Sequence, residues 1–286
     1  MASDSKEGRL RRRWRAATRL GAPYEPLRAI QTALVAARRE GSLDTDVVLF
    51  VEHTPVFTLG RRGGMENLRV APAFLERTGI PVAHAERGGD VTYHGPGQLV
   101  IYPIVDLPRA RLKVVTFVEG LEEVMIRTAA DFGVRGERSL RNRGVWVEER
   151  KLGSVGIAVR RGVSFHGLAL NVNVDLTPFQ WIHPCGLQEV RMTSLAREGA
   201  EGVTLDPVLD SARHHLERVF GVELQDVNPS RLTAILALDD PEAAAALEPM
   251  KPQRARRAQR TQRIARERFS PVSPCDPYAL FGEGIP

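Results

Sequence analysis

A long β-rich stretch in the middle of the chain constrains the fold most strongly. Residues 144–176 run from GVWVEE to SVGIAVRRGVSFHGLALNVNVDL, with alternating apolar positions and turn residues at Arg161-Gly162. A period of two is typical of β-strands, and a turn between two such runs indicates neighbouring strands joined in a meander. The chain is therefore expected to build a sheet around this segment.

Helical periodicity surrounds this sheet. Three segments predict helices: residues 24–40, 113–132 and 207–220, the last preceded by Asp206-Pro207 as N-cap and first-turn proline. Three shorter apolar runs predict further strands: residues 46–53, 55–60 and 99–107. Pro103 inside the last run indicates an edge position or a bend. The predicted fold class is α+β, with a mixed or antiparallel sheet flanked by helices.

The charge lies mainly in the tails. The 286 residues carry +5, and residues 1–20 and 250–270 carry +5 and +7, so the remainder carries −7. We expect a basic N-terminal extension at 1–15, a catalytic domain at 16–235 and an Arg-rich appendage at 236–286 whose apolar content is too low for a core. The basic tails also allow a nucleic-acid-binding protein, although no aromatic residues interleave residues 250–268.

The composition also indicates the cellular compartment in which the protein is expected. Apolar runs long enough to span a membrane are absent from the sequence, and the Arg-rich N-terminus lacks the apolar stretch of a secretory signal. The two cysteines, Cys185 and Cys275, lie far apart in a chain that can build its own core, so a disulfide framework is not needed. We expect a protein of a bacterial-type cytoplasm without membrane contact, and a monomer.

A glycine-dense segment precedes one predicted strand. Residues 87–98 read RGGDVTYHGPGQ, which contains four glycines and a proline. Such density is typical of a tight surface loop or of a backbone that approaches a ligand closely. The segment lacks the pattern of a phosphate-binding P-loop, but it brings together five hydrogen-bonding side chains: Arg87, Thr92, Tyr93, His94 and Gln98.

Two further residues are candidates for chemistry. Cys185 lies in IHPCGLQEV, between a proline and a glycine, and Lys151 lies in RKLGSVG at a turn entering a strand. An isolated cysteine is more often a small buried apolar residue than a nucleophile, and an isolated lysine in a turn usually keeps that turn soluble. A thiol needs a base or a cation nearby to react, because its ordinary pKa of about 8.5 leaves little thiolate at neutral pH.

Three motifs in this order resemble one family. RGGDVTYHGPGQLVIYPI, RKLGSVGIAVRRGVSFHGLALNVNVDL and IHPCGLQEVRMTSL are similar to the lipoyl(octanoyl) transferases, over residues 20 to 225. The resemblance implies a fold like that of biotin and lipoate protein ligases. It implies Cys185 as the acyl-thioester nucleophile, Lys151 as its acid/base partner, and no metal or other cofactor. It also implies a substrate pocket, formed by Arg87, Gly88, Gly89, Asp90, Val91, Thr92, Tyr93, His94, Ser154, Val155, Gly156, Gly167, Leu168 and Ala169.

The resemblance also implies the reaction and its partners. The donor is octanoyl-acyl carrier protein, and the acceptors are lysines of lipoyl domains of 2-oxo acid dehydrogenases and of the glycine-cleavage carrier protein. An alternative is a lipoate or biotin protein ligase, which activates its free acid with ATP and needs no cysteine thioester. The HPCG segment favours the transferase.

Overall fold

The computed structural model describes residues 12–140, 142–183 and 190–227. Most of the predicted N-terminal extension, the whole appendage at 236–286 and both cysteines, Cys185 and Cys275, lie outside the described residues. Within the described part, no helix is long and apolar enough to cross a membrane.

The described residues form one large mixed sheet of nine strands. Its strands are β1 (Arg12–Ala22), β2 (Asp46–His53), β6 (Gln98–Ile104), β7 (Glu137–Arg138), β8 (Gly144–Val147), β9 (Arg150–Arg160), β10 (Val163–Asn171), β11 (Arg191–Met192) and β12 (Val222–Asp226). The order across the sheet is β12-β1-β2-β6-β10-β9-β8-β7, with β11 pairing with β9. β1 runs parallel to β2 and β12, and β11 runs parallel to β9, whereas the other pairs are antiparallel.

A smaller sheet holds the glycine-dense segment. Its strands are β3 (Val56–Leu59), β4 (Val82–His84) and β5 (Val91–His94), in the order β4-β3-β5. The short helix α2 (Pro72–Thr78) precedes β4. Phe57, Tyr93 and Phe179 form part of the apolar cluster of this sheet. Residues 85–90 connect β4 to β5, so the first glycines of the segment lie in a loop beside the large sheet.

Helices cover both faces of the large sheet. Helix α1 (Tyr24–Glu40) packs Leu27, Ile30 and Leu34 against one face. Helices α4 (Val114–Asp131) and α5 (Leu205–Phe220) pack together on the other face, which also carries the short helix α3 (Leu107–Ala110). Each long helix turns an apolar stripe towards the sheet, as its periodicity predicts. The α+β class with a mixed sheet flanked by helices is confirmed.

The predicted meander is confirmed as β8, β9 and β10. The β9–β10 hairpin pairs Arg160 with Val163 and continues in register to Gly153 and Leu170. Its turn residues, Arg161 and Gly162, have φ values of 48° and 90°. Positive φ at both turn positions matches the right-handed twist of the flanking strands, which makes a two-residue connection favourable.

The predicted edge position of Pro103 is wrong. β6 lies near the centre of the sheet, between β2 and β10. Proline is tolerated there because the pairing of β6 with β10 ends at Ile101, so no ladder bond on that side is lost. The carbonyl of Pro103 instead accepts a hydrogen bond of 2.8 Å from the hydroxyl of Ser164.

Several predicted boundaries differ from the structure by a few residues, and the strand predicted at 99–107 ends at Ile104. β1 begins at Arg12, so residues 12–15 belong to the sheet, where Trp14 is buried. Trp14 lies between the exposed Arg13 and the half-buried Arg15, so the sequence shows a basic segment instead of an apolar strand pattern. Helix α5 begins at Leu205, so Asp206 lies in its first turn and Thr204 occupies the N-cap position.

Candidate active site

A cavity of about 380 Å³ lies where the glycine loop meets β9 and β10. Small-molecule sites have volumes of roughly 300–1,000 Å³. We call this cavity the central cavity. Its lining residues are Tyr24, Arg62, Arg87, Gly88, Gly89, Asp90, Val91, Thr92, His94, Val100, Tyr102, Val118, Asn142, Arg143, Lys151, Ser154, Val155, Gly156, Ile157, His166, Gly167, Leu168 and Ala169. Val118, Val155, Ile157 and Leu168 are apolar members of this lining. The cavity can therefore hold an apolar chain.

Three sequence motifs that are far apart in the chain meet at this cavity. All the residues implied for substrate binding line it except Tyr93, and Lys151 lines it as well. Side chains alternate along a strand, so Tyr93 lies on the opposite face of β5 from Thr92 and His94. Tyr93 packs against Phe57 and Phe179 at ring centroid distances of 5.4 and 5.6 Å. Cys185 lies outside the described residues.

Glycines let the loop lie directly on the hairpin. The N–H of Gly88 donates to the carbonyl of Ile157 at 2.9 Å. A Cβ at Gly156 would lie 3.2 Å from both the carbonyl oxygen of Gly88 and Cδ of Arg87, which is tighter than most real contacts. Gly89 has a φ of 89°, which favours glycine. The glycine-dense segment is therefore both a tight turn and a close backbone approach.

The charged residues of this loop fix its backbone. The Arg87 guanidinium donates to the carbonyl oxygens of Asp90 and Thr58, each at 2.7 Å, and to the Thr58 hydroxyl at 2.8 Å. The Asp90 carboxylate accepts two hydrogen bonds from the amide of Asn67, at 2.8 and 2.9 Å, and one from the N–H of Val91. These buried bonds hold the wall of the cavity in one shape.

A chain of hydrogen bonds links this loop to the strand that follows the Cys185 segment. Gln98 donates to the Asn171 side-chain oxygen at 2.8 Å, and Asn171 donates to the carbonyl of Thr193 at 2.8 Å. Because the Gln98 amide nitrogen is the donor, its oxygen accepts from Nδ1 of His94 at 2.7 Å. A neutral His94 therefore has an unprotonated Nε2, which is a hydrogen-bond acceptor.

Lys151 is a buried charge at the edge of the cavity. The side chain is 1% exposed, and its Nζ donates to the Asn142 side-chain oxygen at 3.1 Å. Nζ also lies 5.4 Å from the centre of the Trp146 ring, a cation–π distance. A lysine that is held in one position inside a cavity is a candidate for proton transfer.

The described residues on both sides of Cys185 are tied to the site. Upstream, Ile182 forms a bridge with Leu68. Downstream, β11 pairs Arg191 with Arg150 and Met192 with Lys151, and the N–H of Thr193 donates to the carbonyl of Lys151 at 2.9 Å. The Cys185 motif therefore ends on the strand that carries Lys151.

Three buried histidines near the cavity, His53, His94 and His166, are neutral at physiological pH. Burial lowers the pKa of His94 to about 3 and the pKa values of His53 and His166 to about 4. Nδ1 of His53 lies 3.2 Å from the Ala22 carbonyl, and its Nε2 lies 2.8 Å from the Tyr102 hydroxyl. The carbonyl can only accept, so His53 donates from Nδ1 and accepts from Tyr102 at Nε2.

These histidines make the stability of the fold depend on pH. The unfolded chain protonates all three near pH 6.5, whereas the folded chain keeps them neutral, so the stability they contribute is present above pH 6.5 and lost towards pH 4. Each is expected to lower the free energy of unfolding by on the order of 2 kcal/mol between pH 7 and pH 5. Urea unfolding at both pH values should show about two thirds of this histidine-dependent loss in a His53→Gln variant, because two of the three histidines remain. An equal loss in the variant and the wild type would contradict the assignment.

Several residues that line the cavity were not identified from the sequence. Tyr24 is the first residue of α1, Tyr102 lies in an apolar strand, and Asn142 precedes β8. His166 lies in the second resemblance motif but carried no separate signal, although its φ of 55° is uncommon for a non-glycine residue. Only the tertiary fold brings α1 and β6 to the same cavity, so no local pattern could identify these residues.

Comparison with known proteins places the chain in a family. A model of the "Lipoyl protein ligase A/B catalytic domain" matches residues 23–217. A protein from Desulfotalea psychrophila named octanoyltransferase is 56% identical over 63% of this chain and 80% of its own length. One of the same name from Syntrophobacter fumaroxidans is 46% identical over 74% of this chain and 93% of its own.

Solved structures support the fold. A putative lipoate protein ligase from T. acidophilum superposes with a TM-score of 0.60 at 13% identity, covering 82% of this chain and 92% of that one. A lipoate-protein ligase A bound with ATP gives 0.60 at 14% identity, covering 84% and 100%. At these identities the likeness concerns the fold, whereas the sequence match extends over most of the described domain. The chain belongs to the lipoyl protein ligase A/B catalytic domain family.

Proposed function

We propose that this chain transfers an octanoyl group from octanoyl-acyl carrier protein to a lysine of a lipoyl domain, through a thioester on Cys185. Lys151 is the proton donor and acceptor. The observation that supports this most is the buried side chain of Lys151, which lines a partly apolar cavity and lies on the strand to which the Cys185 motif returns. The names of the relatives at 56% and 46% identity agree with this reaction.

The first half of the reaction exchanges one thioester for another. The Cys185 thiolate, stabilised by the Lys151 ammonium, attacks the carbonyl carbon of the donor thioester. The bond from that carbon to the carrier sulfur breaks, and the carrier leaves as a thiol with a proton from Lys151. The octanoyl group is then bonded to Cys185 and Lys151 is neutral.

The second half transfers the group to nitrogen. The neutral amine of the acceptor lysine attacks the thioester on Cys185, and Lys151 takes the proton that this nitrogen loses. Cys185 leaves as the thiolate, which restores the starting thiolate and ammonium. Transfer therefore needs no ATP, no metal and no other cofactor, because the donor thioester is already activated.

The other cavity residues bind the acyl chain in this proposal. Val155 and Leu168 contact its methylene groups, each worth roughly 0.8 kcal/mol when buried, and Ala169 and the backbone of Val91 complete this wall. Arg87, Gly88, Gly89, Asp90, Thr92, His94, Ser154, Gly156 and Gly167 form the remainder of the implied substrate pocket, whereas Tyr93 supports β5 from behind. The acceptors would be lipoyl domains of 2-oxo acid dehydrogenases and the glycine-cleavage carrier protein. A monomeric enzyme of the cytoplasm completes the proposal, with a catalytic domain that extends the predicted range 16–235 to residue 12, where β1 begins.

Intact-protein mass spectrometry tests this proposal. The wild type is mixed with octanoyl-acyl carrier protein without ATP and should gain one octanoyl group that hydroxylamine removes. Addition of an apo lipoyl domain should discharge it onto that domain. A Cys185→Ala variant should gain none, and Cys275→Ala serves as the matched control that should react as the wild type does.

The ATP-dependent ligase is the alternative that the same experiment detects. A ligase would show no adduct, would retain its activity as Cys185→Ala and would stop without ATP. Transfer that requires ATP and free octanoate, with no adduct on Cys185, would contradict the transferase mechanism.

A further inference from the structure

The Lys151 amine is held by a residue that the proposed mechanism does not use. Asn142 precedes β8, and Lys151 lies in β9, where it pairs with Trp146 of β8. Nζ of Lys151 donates to Oδ1 of Asn142 at 3.1 Å, and both residues line the central cavity. A lysine ammonium has donors and no acceptor, so the amide atom that faces it is the oxygen. Asn142 therefore presents a neutral acceptor to the group that moves the proton.

Trp146 contacts the same amine from a second direction. Its ring centre lies 5.4 Å from Nζ of Lys151, at a cation–π distance. The indole N–H donates to the backbone carbonyl of Asn142 at 3.3 Å. This bond ties the ring to the residue whose side chain accepts from Lys151. The amine is thus bounded by an amide oxygen and an aromatic face that are bonded to each other.

A buried carboxylate fixes the segment that carries Asn142. Glu122 of α4 is 1% exposed, and it accepts from the N–H of Gly144 at 2.9 Å and from the Arg143 guanidinium at 3.3 Å. The segment also lies directly against the lysine, because a Cβ at Gly144 would lie 3.0 Å from Cε of Lys151. The position of Asn142 is therefore set by bonds to both of the residues that follow it.

We propose that Asn142 is a positioning residue, which determines where on the Lys151 amine the exchangeable proton is carried. This inference rests on the proposed function, in which Nζ gives a proton to the sulfur of the carrier and later takes one from the acceptor lysine. Asn142 is not among the residues for which the family resemblance implies a role.

The two contacts distinguish the positions on the nitrogen. A neutral amine has two N–H groups and one lone pair, and the ammonium has a proton in place of that lone pair. An amide oxygen can only accept, and an aromatic face attracts N–H groups, so Asn142 and Trp146 each hold an N–H in both protonation states. The lone pair, and the proton that replaces it, are confined to the remaining position. Proton transfer then starts from one geometry, as general acid–base catalysis requires.

Asn142→Leu removes the acceptor and keeps nearly the same side-chain shape. The amine can then turn its lone pair in more than one direction, so both half-reactions are expected to slow about tenfold. Loading of Cys185 from octanoyl-acyl carrier protein, and discharge onto an apo lipoyl domain, are each followed as single turnovers by intact-protein mass spectrometry.

Asn173→Leu is the matched control. Its amide donates to the carbonyl of Val203 at 2.9 Å, so this variant also loses one side-chain hydrogen bond, and Asn173 does not line the central cavity. The melting temperatures of Asn173→Leu and Asn142→Leu should therefore fall by similar amounts. Asn173→Leu should nevertheless load and discharge at the wild-type rates.

Asn142→Asp distinguishes orientation of the amine from support of the fold. The carboxylate keeps the acceptor oxygen, and its negative charge favours the ammonium form of Lys151 by about tenfold or more. Loading begins with the ammonium and should stay within about threefold of the wild-type rate, whereas discharge needs the neutral amine and should slow by about tenfold or more. A residue that only supported the fold would change both half-reactions alike.

The possible results distinguish the positioning role from the function on which it rests. Wild-type rates in Asn142→Leu, or equal slowing of loading and discharge in Asn142→Asp, would overturn the positioning role and leave the transferase intact. A wild type that gains no octanoyl group would overturn the proposed function itself. If Asn142→Leu does not fold, the ratio of loading to discharge in Asn142→Asp still decides, because aspartate keeps both the shape and the acceptor.

Discussion

A Lys151→Met variant is expected to acquire the octanoyl group on Cys185 about 100-fold more slowly than the wild type, or more slowly still. General acid–base groups typically contribute 10²- to 10⁴-fold to a rate, and methionine matches lysine in length without a proton to give. The variant reacts with octanoyl-acyl carrier protein, samples are quenched at successive times, and intact-protein mass spectrometry measures the fraction that carries the octanoyl group.

The melting temperature of this variant distinguishes a loss of catalysis from a loss of folding. Methionine has a similar size and avoids the cost of burying an amino group, whereas the hydrogen bond to Asn142 is lost, so the variant should stay folded with a melting temperature within roughly 5 °C of the wild type. Lys113→Met, at the exposed N-cap of α4, is the matched control and should keep the wild-type rate. A Lys151→Met variant that reacts at the wild-type rate would remove Lys151 from the mechanism.

Gly167→Ala is expected to lower the free energy of unfolding by about 2–3 kcal/mol. A Cβ at this position would collide with the carbonyl oxygen of Ile101 and lie 2.8 Å from Cδ of Pro103. Both neighbours belong to β6, at the centre of the sheet, so the strain can only be relieved if β10 moves away from β6. Urea unfolding of the variant and the wild type measures the difference.

Gly88→Ala is the control for this change. A Cβ there meets only the carbonyl oxygen of Ile157, at an ordinary 3.6 Å, so stability should change by about 0.5 kcal/mol or less. Equal stability losses in the two variants would show that the collision with β6 is not the cause. Because Gly167 lines the cavity and Ile101 lies behind it, Gly167→Ala should also weaken octanoate binding.

Much of the fold could be predicted from local patterns. Helix α1 and strand β2 have the predicted bounds, since Gly41 and Pro55 end their periodic segments. The position of β6 could not be predicted, because a proline within a strand normally indicates an edge. Only the early end of the β6–β10 ladder and the hydroxyl of Ser164 make Pro103 acceptable in the middle of the sheet.

Some residues of the candidate site could be predicted from the sequence and others could not. The glycine loop and the hairpin carry dense motifs, and the structure brings both to the central cavity. Tyr24 and Tyr102 carry no such motif, because they resemble ordinary core residues of a helix and a strand. Their place in the cavity lining depends on how α1 and β6 pack together, and that property belongs to the tertiary structure. The pairing of Cys185 with Lys151 stays a prediction.

The parallel pairing of β1 with β12 has a consequence for how this domain is made. It joins residues 12–16 to residues 222–226, so the sheet gains its last strand only when nearly the whole domain has left the ribosome. Until then the outer edge of β1 has unpaired backbone groups, which can pair with other chains. A fragment trimmed to residues 23–217, the range that the family model matches, would lose both strands and expose β2 instead. Expression of the catalytic domain by itself therefore needs at least residues 12–227.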